Sequence, residues 1–211
     1  MEIKVEGEAE RRVAPELAVL SVNLESEGAN RERVVRAVGV LSREFADAVT
    51  PLEPSAIRGW TLEPVQLLSW TVGRRGSSSR FAASASATVT FHDRQALADF
   101  CLAWGERDGV ELFSTDWRLT PETEEAVETE LLTEAVKQAR RRAEILAAAS
   151  GAAITGCTHL SDHWVSGARG KEEPVAMKRR MRETSSFSSA PEARPEDLLL
   201  SVRVYATFEA D

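Results

Sequence analysis

Residues 134–155 read EAVKQARRRAEILAAASGAAIT, and their pattern decides the fold. Ala135, Ala139, Ala143 and Ala147 recur every fourth residue. That interval stacks side chains on one face of an amphipathic α-helix. Gly151 supplies the stop, because glycine alone enters the left-handed region at no steric cost. The residues beyond it predict a strand over 153–160. Upstream, Thr120-Pro121 opens the same helix, with proline at the first helical position. Six glutamates (122, 124, 125, 128, 130, 134) sit early, and Lys137, Arg140, Arg141 and Arg142 sit late. That polarity suits the helix dipole.

Working outward, Ile3, Val5 and Gly7 alternate with charged residues and predict a short edge strand. Ala14-Pro15-Glu16 makes a turn. Ala18, Leu20, Val22 and Leu24 mark the buried face of a strand over 17–27. Asn30 caps a helix over 30–49 with apolar positions Val34, Val35, Val38, Leu41, Phe45 and Val49. A strand from Ile57 to Val72, broken near Pro64, is joined by the loop GRRGSSS to a strand over 79–92. Asp93 caps a helix over 93–107, and a strand follows over 110–119.

The resulting order, β-α-β-β-α-β, is ferredoxin-like: an antiparallel sheet with two helices on one face. The helix at 121–150 and strands 153–160 and 197–209 add a second helix-on-sheet unit, and residues 165–196 read as a long loop. The fold class is α+β, a two-layer sandwich. Residues 1–211 form a single domain, with subdivisions at 1–119 and 120–211. The N-terminal strand is able to pair with either part.

Composition narrows the function. The 211 residues are 43% hydrophobic and 28% charged, with net charge −8. That balance disfavours nucleic acid as the main partner, since phosphates select basic surfaces. No stretch reaches 18 consecutive apolar residues, so no membrane span is expected. The opening MEIKVEGEAERR has no apolar signal region, which predicts a cytoplasmic protein. Cys101 and Cys157 are read as two buried free thiols.

The ordered pieces also resemble a known family. VEGEAERRVAPELAVLSVNLESEG (5–28), Leu62-Glu63-Pro64, the strand Phe81–Phe91 followed by Asp93, the run Ala135–Gly151 and the terminal strand Leu200–Phe208 are similar to SIMPL-domain proteins. These include periplasmic immunogenic protein-like and oxidative-stress-related bacterial proteins of unknown function. The resemblance implies a two-layer α+β fold, oligomers that in some members are large rings, and a link to stress responses. The animal namesake is a signalling adaptor that binds a kinase. The family carries no shared catalytic residues or cofactor.

Candidate sites are few. His159 and His163, with Asp162 between them, have one helical turn of spacing and would suit zinc on a helix. GCTHLSDHWVSG breaks helices, however, and only Cys157 offers a third ligand, so both are read as surface or structural histidines. Lys178, Arg179, Arg180 and Arg182 form the dense basic cluster; residues 165–182 hold six basic and two acidic residues, a local charge of +4. Three roles are weighed for it: a mobile solvated loop first, then a contact with the glutamate-rich helix start of another subunit, then nucleic acid. No aromatic platform interleaves these bases. Arg74-Arg75 lacks phosphate-loop spacing, and no G-x-S-x-G element occurs. Tryptophans 60, 70, 104, 117 and 164 are assigned to core and interface packing, with an aromatic cleft as the alternative. The expectation is therefore a non-enzymatic, self-associating binding or scaffold protein with no cofactor and no metal. The alternatives are a metal or anion binder or enzyme using His159 and His163, and a nucleic-acid binder using the basic cluster.

Overall fold

The computed structural model describes residues 1–72, 78–162 and 195–211. Its elements are β1 (Glu2–Val13), β2 (Leu17–Gly28), α1 (Arg31–Val49), β3 (Ile57–Leu62), β4 (Gln66–Val72), β5 (Ser78–Phe91), α2 (Arg94–Gly105), β6 (Val110–Arg118), α3 (Pro121–Ala149), β7 (Ile154–Ser161) and β8 (Leu198–Ala210). A short 3-10 turn, Thr50–Leu52, follows α1. The described chain divides into two compact units. One holds residues 15–118; the other holds 1–14, 119–162 and 196–211.

The unit at 15–118 has the expected helix-on-sheet order. Its strands run β3-β5-β2-β6, all neighbours antiparallel, with β4 also paired to β5. β3 and β4 lie in succession along the same edge of β5. Pro64, which has no N–H to donate, separates them, while Glu63 still donates to the Ser86 carbonyl at 2.8 Å. Counting them as one broken strand gives the ferredoxin-like sheet. Ala18, Leu20, Val22 and Leu24 are buried as the alternation requires. Opposite them lie Ala85, Ala87, Val89 and Phe91 of β5, also buried.

Both helices of this unit start where sequence places them. Asn30 Oδ1 accepts from the Arg33 N–H at 3.0 Å, and Asp93 Oδ1 accepts from the Gln95 and Ala96 N–H groups at 2.8 and 3.3 Å. Each bond satisfies an amide that the first helical turn leaves unpaired. Val34, Val38, Phe45 and Val49 of α1 are buried, whereas Val35 is exposed one residue off that face. Phe45 is the hub: it meets Trp60, Phe100 and Trp104 edge-on, with ring centroids 6.2, 5.9 and 5.3 Å away.

In the second unit the sheet order is β1-β8-β7, and both pairings are antiparallel. β1 is a correction to the expected short strand. It runs 12 residues and pairs with β8 from Glu2↔Glu209 to Val13↔Leu198 without a break. Ile3, Gly7 and Ala9 of β1 and Leu200, Val204, Ala206 and Phe208 of β8 face inward. α3 lies against that face and presents the alanine stripe: Ala135, Ala139, Ala143 and Ala147 are all buried.

Gly7 sets how close α3 lies. A Cβ there would overlap the Ala135 carbonyl oxygen and lie 2.8 Å from the Ala139 nitrogen. The helix backbone therefore rests directly on the strand backbone. At the far end Gly151 has φ +78°. Its N–H donates to the Ala148 carbonyl, and the Ala152 N–H donates to the Ala147 carbonyl at 2.9 Å. Those two bonds close the helix in a Schellman motif. On the outer face, Arg203 bridges Glu8 and Glu6 at 3.1 and 3.0 Å. The hydrogen bond to Glu8, then one to Tyr205, then the charge of Glu6 raise the guanidinium pKa above its ordinary value.

Candidate functional site

The sequence-predicted metal and basic sites fall largely outside the described residues: His163, Lys178, Arg179, Arg180, Arg182 and the loop at 165–196 all lie there, as do Arg74, Arg75 and Trp164. His159 is exposed on β7, opposite Thr207, in a strand rather than on a helix. Side chains two apart share a strand face, so the helical spacing of His159 and His163 has no helix to act on at its first member. Among the described residues no group of three or more His, Cys, Asp or Glu could hold a metal ion.

The cysteines differ from expectation in one respect. Cys157 is exposed on β7, not buried, and its Sγ donates to the His159 carbonyl at 3.4 Å. Among the described residues no helix covers most of β7, and its side chains from Thr155 to Leu160 are exposed. Cys101 is half-buried on α2, and desolvation pushes its thiol up to about 11. Neither cysteine is bridged.

A cleft of about 690 Å³ opens in the unit at 15–118, between the end of β2, α1 and the turn before β6. Gly109 shapes its floor: with φ +78°, a Cβ there would lie 2.5 Å from the Glu25 carbonyl oxygen. Glu25, Glu27, Glu44 and Asp108 line it beside Arg33 and Arg36. Glu44 holds Arg107 at 3.2 Å, and Glu25 accepts from Asn23 at 3.1 Å. Among the described residues its lining holds four carboxylates, two guanidiniums and the Ser26 hydroxyl, with no histidine, cysteine or lysine. It is wide and solvated, and its charges are mixed.

Trp60 and Trp104 serve the core, as packing predicts. The Arg107 guanidinium lies 4.2 Å from the Trp104 ring centroid, and the Arg94 guanidinium 6.0 Å from that of Trp117. Trp70 stands apart. On β4 it shares the face away from the helices with Leu68 and Val72, and the three are 40%, 69% and 46% exposed. This apolar row on a sheet edge is the most conspicuous surface feature among the described residues. Sequence reasoning assigned the tryptophans jointly to core and interface packing without separating Trp70 from the rest. The period-two run Leu68, Trp70, Val72 puts these three on one face of β4, and Leu67 and Ser69 fall on the helix-covered face.

Fold and surface together define an α+β protein of helix-covered antiparallel sheets. Residues 3–208 match the family described as SIMPL, protein of unknown function (DUF541). The chain belongs to that family. No functionally curated protein matched the sequence. No helix among the described residues is long and apolar enough to cross a membrane.

Proposed function

We propose that this chain is a non-enzymatic, self-associating SIMPL protein whose role is binding or scaffolding, in the setting of a stress response. The observation that carries this reading is the exposed apolar row on β4. A large apolar side chain at 69% exposure beside two others marks an interaction surface more readily than a random one. The match over residues 3–208 supports treating the two units as one SIMPL-type domain.

A cytoplasmic site of action belongs to the same proposal, and the exposed thiol of Cys157 fits a reducing compartment. Cell fractionation tests that point; recovery only from an oxidising compartment would refute it. Sedimentation of the full chain at about 50 µM, where micromolar affinities fill a dimer, tests the self-association. A species heavier than one chain is expected, and a monomer throughout would refute it.

A further inference from the structure

We infer that β4 is the self-association strand, pairing antiparallel with β4 of a second copy about a twofold axis at Ser69. This inference rests on the self-association reading and names its surface.

Four strand edges compete for this role, and their chemistry separates them. β1 carries Glu6 and Glu8 on either side of Gly7, so self-pairing about Gly7 would set glutamates opposite one another. The Glu6 carbonyl also accepts from Arg142 at 2.7 Å. β6 carries Glu111 and Asp116. β7 has no formal charge, but its ladder with β8 shifts register twice, and bulges of this kind turn an edge away from a partner. β4 has none of these guards. Gln66–Val72 contains no charged residue and no proline, and it pairs with β5 residue for residue through all seven positions.

The strand is also self-complementary. With Ser69 on the axis, Leu68 of one copy lies opposite Trp70 of the other, and Gln66 lies opposite Val72. Leu68, Trp70 and Val72 all face the side away from the helices, so both copies contribute to one continuous apolar strip. An aromatic residue opposite an aliphatic one is a favourable cross-strand pair. The chain's net charge of −8 opposes close approach of two copies, and a charge-free edge is where that repulsion is least. Backbone hydrogen bonds then join two five-stranded sheets into one. A seven-residue strand pair is at the small end of specific interfaces, so association that depends on concentration is expected.

The test uses the full chain. Trp70→Lys and Leu68→Lys each place a charge on an exposed edge position that the fold does not bury. Each is expected to weaken association at least about tenfold, with an unchanged circular dichroism spectrum. As a second measurement, Ser69→Cys in a Cys157→Ser background should form a covalent dimer under mild oxidation, since residues directly opposite meet within disulfide reach. Gln66→Cys in the same background should not, because it faces Val72 of the partner. If the parent chain associates while the lysine variants associate equally well, or if Ser69→Cys and Gln66→Cys cross-link alike, this inference fails and self-association stands. If the parent chain never associates, the broader reading fails with it.

Discussion

Replacing Gly7 by alanine adds one methyl group where the backbone of α3 already lies. The new Cβ would overlap the Ala135 carbonyl oxygen and sit 2.8 Å from the Ala139 nitrogen and 2.9 Å from the Ala135 carbonyl carbon. Ordinary heavy-atom contacts need about 3.5 Å. The obstacle is helix backbone, which has no rotamer to change, so α3 must lift by something on the order of 1 Å. Lifting it opens the seam of Ala135, Ala139, Ala143 and Ala147, and a gap that size forfeits about a quarter to a half of each contact. Overpacking in a tight core costs roughly 1–3 kcal/mol, and the lost seam places this case at the top of that range. Relief of glycine's extra chain entropy offsets under about 1 kcal/mol. The expected net loss is about 2–3 kcal/mol, a large part of the roughly 5–15 kcal/mol that holds a domain together. Urea unfolding followed by far-ultraviolet circular dichroism measures it, because α3 is the longest helix. Gly156→Ala is the control, with nothing within 4 Å of its added methyl group. A Gly7→Ala midpoint equal to that of the parent chain would refute the contact between α3 and β1.

Three further outcomes are expected. The Ser42 hydroxyl is buried without a hydrogen-bond partner, so Ser42→Ala should raise stability by about 1 kcal/mol in the same unfolding assay. Asp93→Ala removes two bonds to the first turn of α2 and should lower stability by about 1 kcal/mol. At pH 8 a maleimide should label exposed Cys157 while Cys101 resists. Burial raises the Cys101 pKa from 9.0 to about 11, which cuts its thiolate by about 100-fold at that pH. Labelling of Cys101 should rise as pH climbs toward about 11, and peptide mapping reads both sites.

Most of the fold was legible because local chemistry and tertiary packing agree here. The four-residue alanine interval specified the helix; its close seat on Gly7 of β1 emerges only from the packing. Asn30, Asp93, Pro121 and Gly151 marked element ends through backbone groups that only such residues satisfy. β1 runs longer than expected because the reading rested on Ile3, Val5 and Gly7, and the charged residues Glu8, Glu10, Arg11 and Arg12 add little apolar alternation beyond them. Charged side chains on the outer face do not stop a ladder whose other face is buried: Arg203 pairs with Glu6 and Glu8 there, while Arg11, on the helix-covered side, pairs with Glu130 of α3. Cys157 was misjudged because a cysteine beside a strand is usually covered, and β7 extends past the reach of α3. The β4 surface was partly hidden by Pro64: the break made one long strand of two, and nothing local tells which face of the second piece the helices leave bare.

Sedimentation equilibrium on the full chain, read beside the Trp70→Lys variant, tests the central claim most directly. At about 50 µM the account predicts that the parent exceeds the 23.1 kDa of a single chain, while the variant sediments at or near it. A parent that holds at 23.1 kDa across the whole concentration range would contradict the account.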